Sequence, residues 1–127
     1  MIKTTELYNL LKSIGIQPYV LMEFISENIE ANETVLDNSM ENIEMCRRRV
    51  IVSHAKMLAQ ELSFFQEKYE WCGSYPTRYL KLFISENVEA NEAVLDVANQ
   101  DNMINCQPEL GKIRMSLSKL KLLALSL

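Results

Sequence analysis

The chain has 127 residues, a mass of 14.7 kDa and a formal net charge of −4, a size that fits one domain spanning 1–127 and buries enough surface to fold without a disulfide or metal staple. Its residues are 48% hydrophobic and 24% charged, which excludes a disordered chain, and three glycines with three prolines are too few for the turns of an all-β fold. No apolar run is long enough for a membrane-spanning helix.

The first segment reads as a short helix. Thr4 or Thr5 can cap it, and Leu7, Leu10, Leu11 and Ile14 form one apolar stripe at i, i+3, i+4 and i+7. Gly15 is a natural left-handed stop, and Pro18 can open the next helix because a missing N–H costs nothing in a first turn. From Tyr19 to Cys72 there is no Gly or Pro. A single helix of that length would span about 81 Å, against a radius of gyration near 14 Å for a compact chain of this size. The stretch is therefore expected to fold back. Asp37-Asn38-Ser39 is the best break, with Asn38 and Glu41 spaced as a capping box. A second candidate break, or a short strand, lies at Arg47-Arg48-Arg49-Val50-Ile51-Val52, where β-branched residues weaken helix propensity.

Downstream, Ile51, Ala55, Leu58, Leu62, Phe65, Tyr69 and Cys72 alternate by four and three, a coiled-coil-like seam. Gly73-Ser74-Tyr75-Pro76 ends it. Thr77 can cap a helix running to about Ala98, Asn99-Gln100-Asp101-Asn102 is a polar connection, and Pro108 opens a last helix. In that helix Leu110, Ile113, Leu117, Leu120, Ala124 and Leu127 again alternate by three and four. The expected fold is all-α, an antiparallel bundle of four main helices plus a short N-terminal one.

Phe24–Asp37 reappears 59 residues later as Phe83–Asp96, identical at twelve of fourteen positions and differing only at Ile29/Val88 and Thr34/Ala93. At the same offset the match stops sharply on both sides. Either a local duplication without function or one recognition surface used twice explains the repeat. Two copies are too few for a solenoid.

With residues placed about 100° apart around the helix, Ile25, Asn28, Asn32, Val35 and Leu36 share one face. Glu23, Glu27, Glu30, Glu33 and Asp37 share the opposite one, and Glu86, Glu89, Glu92 and Asp96 repeat it in the second copy. Seven acids lie between Ser13 and Cys46 and six between Leu82 and Gly111, with no Lys or Arg in either stretch. Those thirteen negative charges exceed the net −4 of the chain, so charge is segregated by helix. Like charges three and four apart repel by a few tenths of a kcal/mol per pair. An unmixed acidic face therefore favours a basic partner: the chain's own Arg47-Arg48-Arg49, another protein or a metal ion. The same arginines are expected to cap and neutralise the acidic helix end. Asn28, Asn32, Asn87 and Asn91 fall mid-stripe on the apolar faces, where a buried amide without partners costs about 1–3 kcal/mol. The expectation is that the repeated helices pack antiparallel and that these amides bond across the seam.

The sequence carries no recognisable chemistry. His54 is the one histidine, too few for a Glu-x-x-His di-iron bundle, and no nucleophile motif accompanies it. Three scattered glycines make no phosphate loop. Asp37–Asn42 alternates oxygen-bearing residues like a calcium loop but lacks the central Gly, and Arg48 stands where the bidentate Glu belongs. Cys46, Cys72 and Cys106 are spaced for neither zinc nor a disulfide framework. No catalytic residue, metal or cofactor is therefore assigned. The basic, apolar segment 112–127 closes the bundle, with peripheral membrane contact or subunit pairing as alternatives.

The expected function is a non-enzymatic regulatory or adaptor module, cytoplasmic for want of an apolar leader. It binds a partner protein through the acidic helices and forms a homodimer. Direct nucleic-acid binding is not expected, because the acidic faces oppose it. Two alternatives are an acidic nucleic-acid mimic that occupies a basic groove on a nuclease or DNA-binding protein, and a small-molecule or cofactor binder with an Asn-lined cavity.

Overall fold

A computed structural model describes residues 2–39, 43–70, 74, 75, 77–101 and 104–127. Five helices carry the chain: α1 (Thr4–Ser13), α2 (Leu21–Asp37), α3 (Ile43–Glu70), α4 (Thr77–Asp101) and α5 (Gln107–Ser126). Short 3₁₀ turns at Pro18–Val20 and Ile104–Cys106 lead into α2 and α5. Ile2–Lys3 (β1) and Ser74–Tyr75 (β2) form a two-residue antiparallel pairing. The protein is an all-α bundle.

The local signals act mostly where expected. Gly15 holds φ at +84°, and the amides of Gly15 and Ile16 donate to the Lys12 and Leu11 carbonyls, so α1 ends in a left-handed stop. α2 stops at Asp37, with Asn38 as its C-terminal cap. The Asn38 backbone N–H and side-chain Nδ2 both donate to Thr34 O, at 3.2 and 2.8 Å. Asn38 thus closes one helix instead of opening the next, and Glu41, its supposed capping-box mate, lies outside the described residues. Arg47–Val52 is continuous helix within α3: Val52 buries itself in the core, and packing overrides the weak propensity of β-branched residues. Neither threonine caps α1; Lys3 holds the N-cap position without a side-chain bond, and Thr4 Oγ1 is buried without a partner. α4 extends three residues past Ala98, to Asp101.

The core has two apolar halves. One gathers Leu7, Leu11 and Ile16 with Leu21, Ile25 and Ile29 of α2, Leu58 and Leu62 of α3, Leu80, Phe83 and Ile84 of α4, and Leu120 and Leu123 of α5. The other joins the end of α2 (Ala31, Val35, Leu36), the start of α3 (Met45, Val52, Ala55), the end of α4 (Ala90, Val94, Val97, Ala98) and the start of α5 (Leu110, Ile113). α2 and α4 therefore run one way and α3 and α5 the other. Each helix packs on its neighbours around the bundle, and α2 meets α4 across the diagonal. The repeated helices are thus parallel, not antiparallel. One helix separates them, and two reversals restore the original direction.

The structure extends the duplication into the helix that follows each copy. Glu33 of α2 pairs with Lys56 of α3 at 3.1 Å, and its copy Glu92 of α4 pairs with Lys121 of α5 at 3.5 Å. Lys56 and Lys121 are 65 residues apart. At that offset 43–62 and 108–127 share seven of twenty residues: Glu44/Glu109, Arg49/Arg114, Ser53/Ser118, Lys56/Lys121, Leu58/Leu123, Ala59/Ala124 and Leu62/Leu127. The repeated unit is a whole helical hairpin, with six more residues in its second connection. The two hairpins are related by an approximate twofold axis along the bundle.

Candidate functional site

The four asparagines sit between the two apolar halves, each at most 3% exposed. Asn28 Nδ2 donates to Asn91 Oδ1 at 2.8 Å, and Asn91 Nδ2 donates back to Asn28 Oδ1 at 3.1 Å. This is the cross-bundle amide bond the sequence suggests, made between parallel diagonal helices. Approximate symmetry would place a twin bond between Asn32 and Asn87. Instead Asn87 Nδ2 donates to Phe83 O at 2.9 Å and Ala55 O at 3.5 Å, and Asn32 Oδ1 stays buried without a partner. One of the two symmetric bonds is formed. The amides bond each other or backbone and do not line a ligand chamber; of the depressions described below, only that between α2 and α5 reaches one of them, Asn28.

The carboxylates lie outside this core. Glu23, Glu27, Glu30, Asp37, Glu89, Glu92 and Asp96 are exposed, and Glu33 and Glu86 are half-buried. Four of the nine turn toward cations on neighbouring helices. Glu33 and Glu92 take Lys56 and Lys121. Asp37 accepts from Arg49 Nη1 at 3.0 Å, while Arg49 Nη2 donates to Leu36 O at 3.1 Å. Arg49 thereby caps and neutralises the end of α2, as the sequence suggests. Glu86 Oε2 lies 3.3 Å from His54 Nδ1. Exposed pairs of this kind contribute about 0–1 kcal/mol each. Among the described residues no ion pair engages Glu23, Glu27, Glu30, Glu89 or Asp96.

The clearest depression is a groove of about 510 Å³ between α2 and α3. Its floor is Ile25, Ile29 and Ala59, and its rim carries Glu30, Glu33, Asp37 and Lys56. Both positions at which the repeats differ, Ile29 and Thr34, line it. α4 and α5 lie closer together than α2 and α3 do. A smaller groove between α2 and α5 brings Glu23 and Glu27 to Lys112 and Lys119. There Lys119 Nζ sits 5.8 Å from the Phe24 ring and donates to Gly15 O at 3.2 Å.

Sequence reasoning missed three features. The groove is a product of helix spacing, which no periodicity encodes. The hairpin-level repeat was legible once six residues were allowed as a gap. The third is a row of exposed apolar side chains on the outer face of α3: Val50, Met57 and Phe64, at 69, 49 and 57% exposure. Seven-residue spacing is its signature, but the inner seam of the same helix masks it. Its symmetry mates on α5 are Met115 and Leu122, at 57 and 48%.

Among the described residues no three His, Cys, Asp or Glu side chains converge to hold a metal, and no helix is long and apolar enough to cross a membrane. Burial, and secondarily the Glu109 charge, push the Cys106 thiol above its ordinary range, so at neutral pH it is a protonated core residue and a poor nucleophile. Comparison with protein-family models, curated proteins and solved structures finds no match to this chain.

Proposed function

We propose that the protein is a non-enzymatic interaction module whose acidic helices, α2 and α4, receive a protein partner with a basic surface. One observation carries the reading: the carboxylates of Glu23, Glu27 and Glu30 follow one another along α2 without a cation. They repel by a few tenths of a kcal/mol per pair, a cost that an arriving basic surface would relieve. The copy on α4 offers Glu89 and Asp96 in the same state. Nothing in the site supplies a nucleophile, a shifted acid or a base within reach of a substrate, so binding rather than turnover is the reading that remains.

The test is capture by the tagged full chain from its native host, against a Glu23→Gln/Glu27→Gln/Glu30→Gln variant. These side chains are exposed, so the variant keeps the fold. A specific partner should be lost in the variant, and its binding should weaken steeply with salt. Full retention by the triple variant would refute the reading.

A further inference from the structure

We infer that the basic surface received by α2 is α3 of a second copy of this chain, joined through the α2–α3 hairpins in a twofold dimer. The inference rests on the preceding reading of α2 as a partner-binding helix and names its partner.

Both halves of such an interface are on the molecule and adjoin each other. One half is the α2/α3 groove, with its apolar floor and acidic rim. The other is the outer face of α3, where Val50, Met57 and Phe64 stand exposed at seven-residue intervals, opposite the buried Val52, Ala55, Ala59 and Leu62. A repeat of seven is the spacing at which a helix meets another along its length. The two halves also match in length: Val50 to Phe64 spans about 21 Å and Met22 to Asp37 about 22 Å. A contiguous surface that carries both a ridge and a groove can pair with its own copy about a twofold axis.

Charge sets the register. About a twofold axis perpendicular to α3, the two α3 helices run antiparallel. Each α3 then runs parallel to the α2 of the other copy, because α2 and α3 of one chain are antiparallel. The start of α3, with Arg47 and Arg48, comes to the start of α2, with Glu23 and Glu27. These are the acids that find no cation within their own chain. Two α3 faces alone would bring arginines together, so the acidic helix is what makes the pairing self-complementary.

The second hairpin carries a similar ridge, Met115 and Leu122, flanked by Lys112 and Arg114. Its helices, however, lie closer together. The wide groove belongs to the first hairpin, and the expected assembly is a closed dimer, not a chain of copies.

Sedimentation equilibrium of the full chain at about 100 µM should give twice the monomer mass of 14.7 kDa. Met57→Glu and, independently, Val50→Glu should weaken the dimer at least about tenfold with helicity unchanged by circular dichroism. The matched Leu122→Glu on α5 should leave it intact. The Glu23→Gln/Glu27→Gln/Glu30→Gln chain should also dissociate. A wild type that stays monomeric at this concentration, a dimer indifferent to both Met57→Glu and Val50→Glu, or one broken by Leu122→Glu alone overturns the inference. A monomeric chain that still captures a basic protein through Glu23, Glu27 and Glu30 refutes the dimer and leaves the broader reading standing. A dimer lost with Met57→Glu but untouched by the glutamine variant refutes the part assigned to the acids.

Discussion

Asn28 and Asn91 exchange two hydrogen bonds in an interior that is otherwise almost wholly apolar. Removing one partner strands the other, which costs about 1–3 kcal/mol, whereas removing both loses only the modest net value of the bonds. Urea unfolding of Asn28→Ala, Asn91→Ala and the double variant should therefore show strong coupling, with the double variant less destabilised than the sum of the singles. Additive losses would mean that the amides do not act as a pair. Asn32 behaves differently: its Oδ1 already lacks a partner, so Asn32→Ala should cost less than Asn28→Ala in the same assay. At this scale the apolar-face position of all four amides was legible from a 100° wheel. Which of the two symmetric bonds forms was not, because it depends on side-chain choices that a repeat leaves degenerate.

At the scale of the element, stops matter more than propensities. Gly15 adopts a left-handed backbone, and an added Cβ would meet only Lys119 Cε, at 3.9 Å. Space is therefore no obstacle, and the cost of Gly15→Ala is conformational, about 1 kcal/mol. Thermal unfolding should show the Tm lowered by a few degrees with the helical signal intact; an unchanged or raised Tm would mean that α1 ends without needing that conformation. The stop at Asp37 was legible for a different reason, a run of residues that prefer caps to interiors. The supposed break at Arg47–Val52 was not real. Val52 lies in the core and Arg49 reaches back to α2, so tertiary contacts hold the helix through a weak stretch.

In the whole molecule, α1 stands outside the duplication yet closes one end of the bundle. Leu7 and Leu11 are 1 and 0% exposed within the same cluster as Leu21, Phe83 and Leu120. Leu11→Ala should cost about 2–5 kcal/mol in a single cooperative denaturant transition. A loss under about 1 kcal/mol, or a separate early transition for α1, would mark it as an appendage.

By itself the sequence determined the helical class, most of the helix ends, the repeated segment and the separation of acids from apolar residues. Each of these follows from local periodicity or local backbone chemistry. Only the tertiary structure decided that the repeated helices run parallel, that Asn28 chooses Asn91, that four of the nine acids are neutralised from neighbouring helices and that a groove opens between α2 and α3. Those are distances between segments remote in the chain, and they depend on how side-chain volumes on several helices fill one shared interior.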